Sequence, residues 1–151
     1  MEIRVIELTF GQVAEHWNLI WHSMSISLPP LEIDAEEAKQ NLLTNLMSGK
    51  LSCWAVYKVG GEDGVDRDII GMYTTGVMED YSGERNCIIY TATSFSSFTL
   101  EEYQVCFNTL ATYARSKGCK HILAYTNLPV IKKMADNFDG SSGFHFLRFR
   151  L

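Results

Sequence analysis

The sequence predicts one α/β domain over residues 1–151, an α+β sandwich whose mixed sheet carries helices on both faces in the order β-α-α-β-β-β-α-β-α-β. Three observations predict it. The length is close to the commonest for one domain, and such a chain can bury roughly 70% of its unfolded surface. Apolar spacing alternates between helical and strand periods along the chain. Hydrophobic residues at 46% and charged residues at 21% are ordinary for a globular protein, which argues against disorder, collagen-like repeats and coiled coil.

Residues Ile3 to Leu8 mix β-branched and aliphatic side chains with charges and form the opening strand. Thr9-Phe10-Gly11-Gln12 is a capping box, and Val13, Trp17, Ile20, Trp21 and Met24 follow at helical spacing. Pro29-Pro30 stops that helix, because neither proline donates a backbone hydrogen bond and the residue before each avoids the α region. A second helix begins at Asp34, paired with Glu37, carries the stripe Ala38, Leu42 and Leu46, and ends on Gly49 in the left-handed region.

From Leu51 to Val59 the chain is strand-like, and an acidic loop from Gly60 to Asp66 leads to a strand from Ile69 to Met78. A third strand, Cys87 to Thr93, completes an antiparallel meander. Thr99 and Glu102 form a capping box for a helix with Leu100, Tyr103, Phe107, Leu110 and Ala114 on one stripe, ended by Gly118. His121 to Tyr125 is a short strand, Leu128 to Phe138 a short helix with Pro129 in its first turn, and Phe144 to Leu151 a closing strand. The meander followed by a strand-helix-strand crossover is what predicts the sandwich.

Composition also excludes functions. A net charge of -5 with scattered basic residues gives no nucleic-acid footprint, so no nucleic-acid partner is expected. No apolar run approaches the ~18 residues that span a bilayer, so no membrane partner is expected either. Cys53, Cys87, Cys106 and Cys119 lack zinc spacing, so no metal is expected; their apolar neighbours read as buried reduced thiols rather than disulfides, which favours a cytoplasmic location. Neither a Gly-x-Ser-x-Gly elbow nor a Gly-x-x-x-x-Gly-Lys loop occurs.

Tyr125-Thr126-Asn127, the short helix after it and Gly143-Phe144 carry a family resemblance. Together with the element order, they resemble the GNAT superfamily of acyl-CoA N-acyltransferases along nearly the whole chain. The resemblance implies direct acetyl transfer from acetyl-CoA to a small-molecule or protein amine acceptor. It implies that backbone atoms around Tyr90, Ala92 and Ser94 align the thioester, that the turn with Ser96, Ser97 and Thr99 meets the pyrophosphate at a helix start, and that Asn127 belongs to the cofactor site. A helix start suits an anion because its N–H groups are unpaired and its dipole is positive there.

The sequence departs from that family pattern twice. Ser94-Phe95-Ser96-Ser97-Phe98-Thr99 contains no glycine where Gln/Arg-x-x-Gly-x-Gly/Ala is usual, and Met134 stands where many members place a proton-donating tyrosine. The alternative is therefore a non-catalytic GNAT-like binding or structural protein that has lost cofactor binding. Small members with eroded phosphate turns resemble bacteriophage proteins, so a phage origin is implied.

Glu79 and Asp80, at the end of the Ile69–Met78 strand, are candidates for the base that removes the amine proton, against the plain reading of a solvated turn. Tyr125 is a candidate acid, against a packed strand aromatic. His16, His22 and His145 read as structural, while His121 stays open between the two. The loop Ser23–Ile33 is the expected seat of acceptor specificity, and Trp17, Trp21 and Trp54 are either core or a ligand platform. The Phe- and Arg-rich closing strand is the candidate surface for a homodimer, against insertion inside the sheet.

Overall fold

A computed structural model describes residues 2–31, 33–60, 66–126 and 128–151. The elements are β1 (Glu2–Glu7), α1 (Phe10–Glu15), α2 (Trp17–Ser25), α3 (Ala35–Met47), β2 (Leu51–Gly60), β3 (Asp66–Glu79), β4 (Arg85–Ser94), α4 (Leu100–Ser116), β5 (His121–Ala124) and α5 (Pro129–Asn137). The strands form a five-stranded sheet in sequence order, β1-β2-β3-β4-β5. The first three pairings are antiparallel and β4–β5 is parallel, joined through α4. The centre of the acidic loop between β2 and β3, residues 61–65, lies outside the described residues.

Local chemistry sets the helix starts. Thr9 and Gln12 close a reciprocal capping box on α1, as do Thr99 and Glu102 on α4; Asp34 accepts from the Glu37 N–H on α3. Gly49 and Gly118 take positive φ just beyond α3 and α4, where a side chain would strain the turn. The expected first helix bends into α1 and α2 at His16. Its hydrogen-bond ladder continues through the bend, from the His16 N–H to the Gln12 carbonyl and from the Ile20 N–H to the His16 carbonyl, each 3.0 Å.

Strand alternation divides the core into two layers. On one face of the sheet, Cys53, Ala55 and Met72 pack against Val13, Ile20, Met24, Ala38, Leu42 and Leu46 of α1, α2 and α3. On the other, Ile3, Trp54, Val56, Ile70, Tyr73 and Cys87 pack against Cys106, Leu110 and Ala114 of α4. All four cysteines are free. Burial pushes the Cys53 and Cys106 thiols up to about 12 and Cys87 up to about 11, which keeps them protonated and inert.

One expected element is absent. Residues 140–151 take no regular secondary structure, so the closing strand Phe144–Leu151 does not form and the described sheet ends at β5. Asp139, at φ 61°, turns the chain out of α5. Two side-chain contacts then place the tail: Phe146 packs on Tyr125 with ring centroids 5.2 Å apart, and Arg148 donates to the Pro30 carbonyl at 3.1 Å. Alternation alone does not make a strand, because β-propensity measures fit to a pleated surface rather than a backbone preference, and here the tail does not pair with the outer edge of β5.

Candidate functional site

The sheet opens inside β4. Thr74 pairs with Thr91 but Thr75 pairs with Ile89, so Tyr90 is one extra residue, a β-bulge. Pairing with β5 stops at the same point, on Ile89 opposite Ala124, although β4 runs on to Ser94. Residues Thr91 to Ser94 thus pair with β3 on one side and leave the β5 side open. The Phe95 N–H donates to the Ile70 carbonyl at 2.8 Å, which fixes the phase of the ladder. Thr91 and Thr93 turn their main-chain groups toward β3, and Ala92 and Ser94 turn theirs into the gap.

A cavity of about 60 Å³ occupies this opening. Gly71, Tyr73, Ala92 and Ser94 of β3 and β4 form its floor, Cys106 and Leu110 of α4 one wall, and Ile131 and Met134 of α5 its cover. The lining is mostly apolar, with the hydroxyl-bearing Tyr73, Thr93, Ser94 and Tyr103 among it. The Tyr73 side chain stands out. That ring stacks on Trp54 at 5.9 Å, is 8% exposed, and carries the one buried side-chain polar atom without a hydrogen-bond partner among the described residues. Burial, with the neighbouring thiols of Cys106 and Cys87, holds its ionisation far above the ordinary tyrosine value, so the hydroxyl stays neutral and can donate. An unpaired buried hydroxyl costs about 1–3 kcal/mol, which marks the position as one a ligand can satisfy.

On the opposite face Tyr90, like Trp17, Trp21 and Leu28, packs against the core under α1, α2 and α3, and burial raises its pKa as well. Thr93 ties this part of β4 to the end of α2, donating to the Ser23 carbonyl at 2.6 Å and contacting the Ser27 hydroxyl at 2.9 Å. The gap therefore borders the Ser23–Ile33 segment.

The end of the Ser94–Thr99 turn is tied to α4 by its own capping box. Thr99 Oγ1 accepts the Glu102 N–H at 3.2 Å, and the Thr99 N–H donates to Glu102 Oε2 at 2.9 Å. Glu102 Oε1 also pairs with Lys58 at 3.1 Å. The hydrogen bond from Thr99, aided by Lys58, holds the Glu102 carboxyl below its ordinary value, so a fixed anion sits at the start of α4. Glu101 adds a second carboxylate in the same turn. Phe98 lies over Gly71, where an added Cβ would stand 3.1 Å from its ring, and stacks on Tyr103 at 5.0 Å. Ser96 and Ser97 are exposed.

The gap and the turn thus differ: the gap is mostly apolar and borders the main chain of Ala92 and Ser94, while the turn lacks glycine and holds its own carboxylate. Beside that turn lies a second cavity of about 150 Å³, lined by Phe98, Leu100, Tyr103, Lys133, Met134 and Asn137, in which Lys133 is the cation.

The other expected residues lie elsewhere. Glu79 pairs with Arg85 at 3.7 Å and sits opposite it in the ladder, five residues before the bulge, or roughly 16 Å away at ~3.3 Å per residue. Asp80 accepts hydrogen bonds from the Ser82 hydroxyl and N–H, which lower its pKa; a general base needs the reverse. Tyr125 is half-exposed against Phe146 and lines neither cavity. Asn127 lies outside the described residues. His121 faces Asn86 at 3.2 Å. Among the described residues no cluster of His, Cys, Asp and Glu is arranged to hold a metal, and no helix is long and apolar enough to cross a membrane.

Sequence reasoning missed Tyr73 and Lys133. Nothing within Met72-Tyr73-Thr74 distinguishes a tyrosine with an orphaned hydroxyl from a packed one; its place in the core beside the cavity does.

No protein-family model matches the sequence, and a search of the curated proteins finds no match. Solved structures do match in shape. AAC(6')-Iy, in complex with the bisubstrate analogue CoA-S-monomethyl-acetylneamine, is 12% identical with a TM-score of 0.70, over 100% of this chain and 99% of that one. A predicted acetyltransferase from Clostridium acetobutylicum with acetyl-CoA is 11% identical with a TM-score of 0.69, over 99% and 96%. A GNAT family acetyltransferase from Staphylococcus aureus is 14% identical with a TM-score of 0.67, over the whole of both chains. The chain has the α+β fold of the GNAT acetyltransferases, and at these identities the likeness is one of fold.

Proposed function

We propose that the protein is an N-acetyltransferase that takes an acetyl thioester such as acetyl-CoA into the gap between β4 and β5 and passes the acetyl group directly to an amine. The observation that carries this reading is the opening of the sheet at Tyr90 beside an apolar cavity. Its likeness to acetyltransferase structures, two of them with coenzyme A ligands, supports it at the level of fold.

The thioester supplies an activated acyl carbon and a thiolate that leaves readily. In the transfer the amine nitrogen bonds to the carbonyl carbon, the C–S bond breaks, the sulfur takes up a proton and the amine gives one up to solvent. Main-chain N–H groups of Ala92 and Ser94, preset toward the gap, are placed to hold the carbonyl oxygen as its charge grows. Neutral Tyr73 lines the same gap and is our candidate for donating to the departing sulfur, in place of a tyrosine at Met134. Tyr90 and the Ser23–Ile33 segment face the amine side. Glu79 and Asp80 are assigned no part in proton removal, given their distance.

Calorimetric titration of acetyl-CoA tests the reading. The wild-type chain should bind with a Kd tighter than ~1 mM, and Ala92→Trp, which fills the gap, should fold and fail to bind. Absence of binding to the wild type at millimolar acetyl-CoA would sink it. The self-capped turn favours a second reading, a GNAT-like binding module without turnover; bound acetyl-CoA that releases no free thiol with any of a panel of primary amines would select it.

A further inference from the structure

We infer that the acyl donor is recognised through its phosphopantetheine thioester arm alone, with the adenosine bisphosphate end of coenzyme A making no binding contribution. This rests on the thioester reading above and narrows it to a class of donor.

The α4 start, where a nucleotide diphosphate would be held, lacks glycine and carries the Glu101 and Glu102 carboxylates in its first turn. The Thr99 and Glu102 N–H groups are both committed to the capping box. The Glu102 carboxylate stands where an anion would, secured by Lys58, and Glu101 stands beside it. Phe98 is packed between Gly71 and Tyr103, so a bulky ring occupies a position of the turn where a glycine would let a phosphate approach the backbone. A diphosphate at this turn would lie beside the Glu101 and Glu102 carboxylates, and a close approach to its backbone would have to displace Phe98; both oppose binding.

Next to this closed turn the molecule offers a different anion site. The cavity of about 150 Å³ shares Phe98, Tyr103 and Met134 with the thioester gap, so one extended ligand can run through both. Lys133 is its cation and Asn137 its amide. A single cation matches the single phosphate of phosphopantetheine, and it leaves the further phosphates of coenzyme A without a partner. The same arm occurs free, within coenzyme A and on acyl carrier proteins, and the gap itself reads only the arm they share.

Calorimetry with the full chain separates these cases. Acetyl-CoA and acetyl-4′-phosphopantetheine should bind within about threefold of each other, acetyl-pantetheine about tenfold more weakly, and Lys133→Ala should erase that tenfold difference. Adenosine 3′,5′-bisphosphate should not compete. Acetyl-CoA binding about thirtyfold or more tighter than acetyl-4′-phosphopantetheine, or competition by adenosine 3′,5′-bisphosphate, overturns the inference while leaving the acetyltransferase reading intact. If neither thioester binds, both fall together. An acetyl-phosphopantetheinyl carrier protein that binds more tightly than free acetyl-4′-phosphopantetheine identifies the carrier-borne source, and equal or weaker binding identifies the free one.

Discussion

The two halves of β4 differ by one residue and do different work. From Arg85 to Ile89 the strand is an interior member of the sheet, paired with β3 and β5, and its Cys87 and Ile88 side chains are buried. Beyond the unpaired Tyr90, from Thr91 to Ser94, it pairs with β3 alone, and the cavity lies along it. The inserted Tyr90 bends the strand and ends the second ladder, because a bulge unpairs one residue and raises the local twist. The comparison teaches that a binding gap can be made by strand geometry, without any special sequence motif.

The largest effect belongs to the paired half. Ile88→Ala should lower unfolding free energy in urea by about 2–5 kcal/mol, since a large side chain is removed from a packed interior. An effect under ~1 kcal/mol would show that this half is as loosely held as the other. At the border of the gap, Tyr73→Phe should leave stability unchanged or raise it by up to about 1–3 kcal/mol, because it deletes an unpaired buried hydroxyl. The same change should slow acetyl transfer by about 10²-fold if the hydroxyl donates to the sulfur; unaltered turnover would remove Tyr73 from the mechanism.

Gly71→Ala probes the Phe98 wedge. The new Cβ would lie 3.0 Å from the Thr93 carbonyl oxygen and 3.1 Å from the Phe98 ring, so thermal unfolding should report a loss of about 1–3 kcal/mol. The smallest effect concerns acid. Because the Glu102 carboxyl is held below its ordinary value of 4.5, the stability it adds is complete above that pH and is lost as pH falls through its lower folded value. Glu102→Gln should therefore flatten the fall of Tm below about pH 4.5; an identical acid limb in both proteins would show the carboxylate to be uncoupled from the fold.

The legible and illegible parts of the molecule differ in range. Thr9 with Gln12, Thr99 with Glu102, Gly49 and Gly118 act over three or four residues, so helix limits could be seen in the chain itself. The meander was legible for the same reason, since period-two runs broken by turn residues pair with their neighbours. The Tyr90 bulge was not, because it exists only as a register between two strands. Glu79 and Asp80 looked suitable as a pair of acids beside a strand, yet the antiparallel direction of β3 carries them away from the gap. Phe144 to Leu151 has the alternation of a strand yet pairs with no strand among the described residues, although β5 leaves its outer edge unpaired; side-chain contacts with Tyr125 and Pro30 place it instead.

By itself the sequence determined the α+β order, the well-capped α4 and the glycine-free turn ahead of it, all of which follow from short-range hydrogen bonding and backbone sterics. Tertiary structure alone decided that β4 parts from β5, that Tyr73 faces the resulting cavity with its hydroxyl unpaired, and that Lys133 comes to the side of a turn closed by Glu102. These depend on which residues meet across strands and helices far apart in the chain, and no local pattern encodes such a meeting.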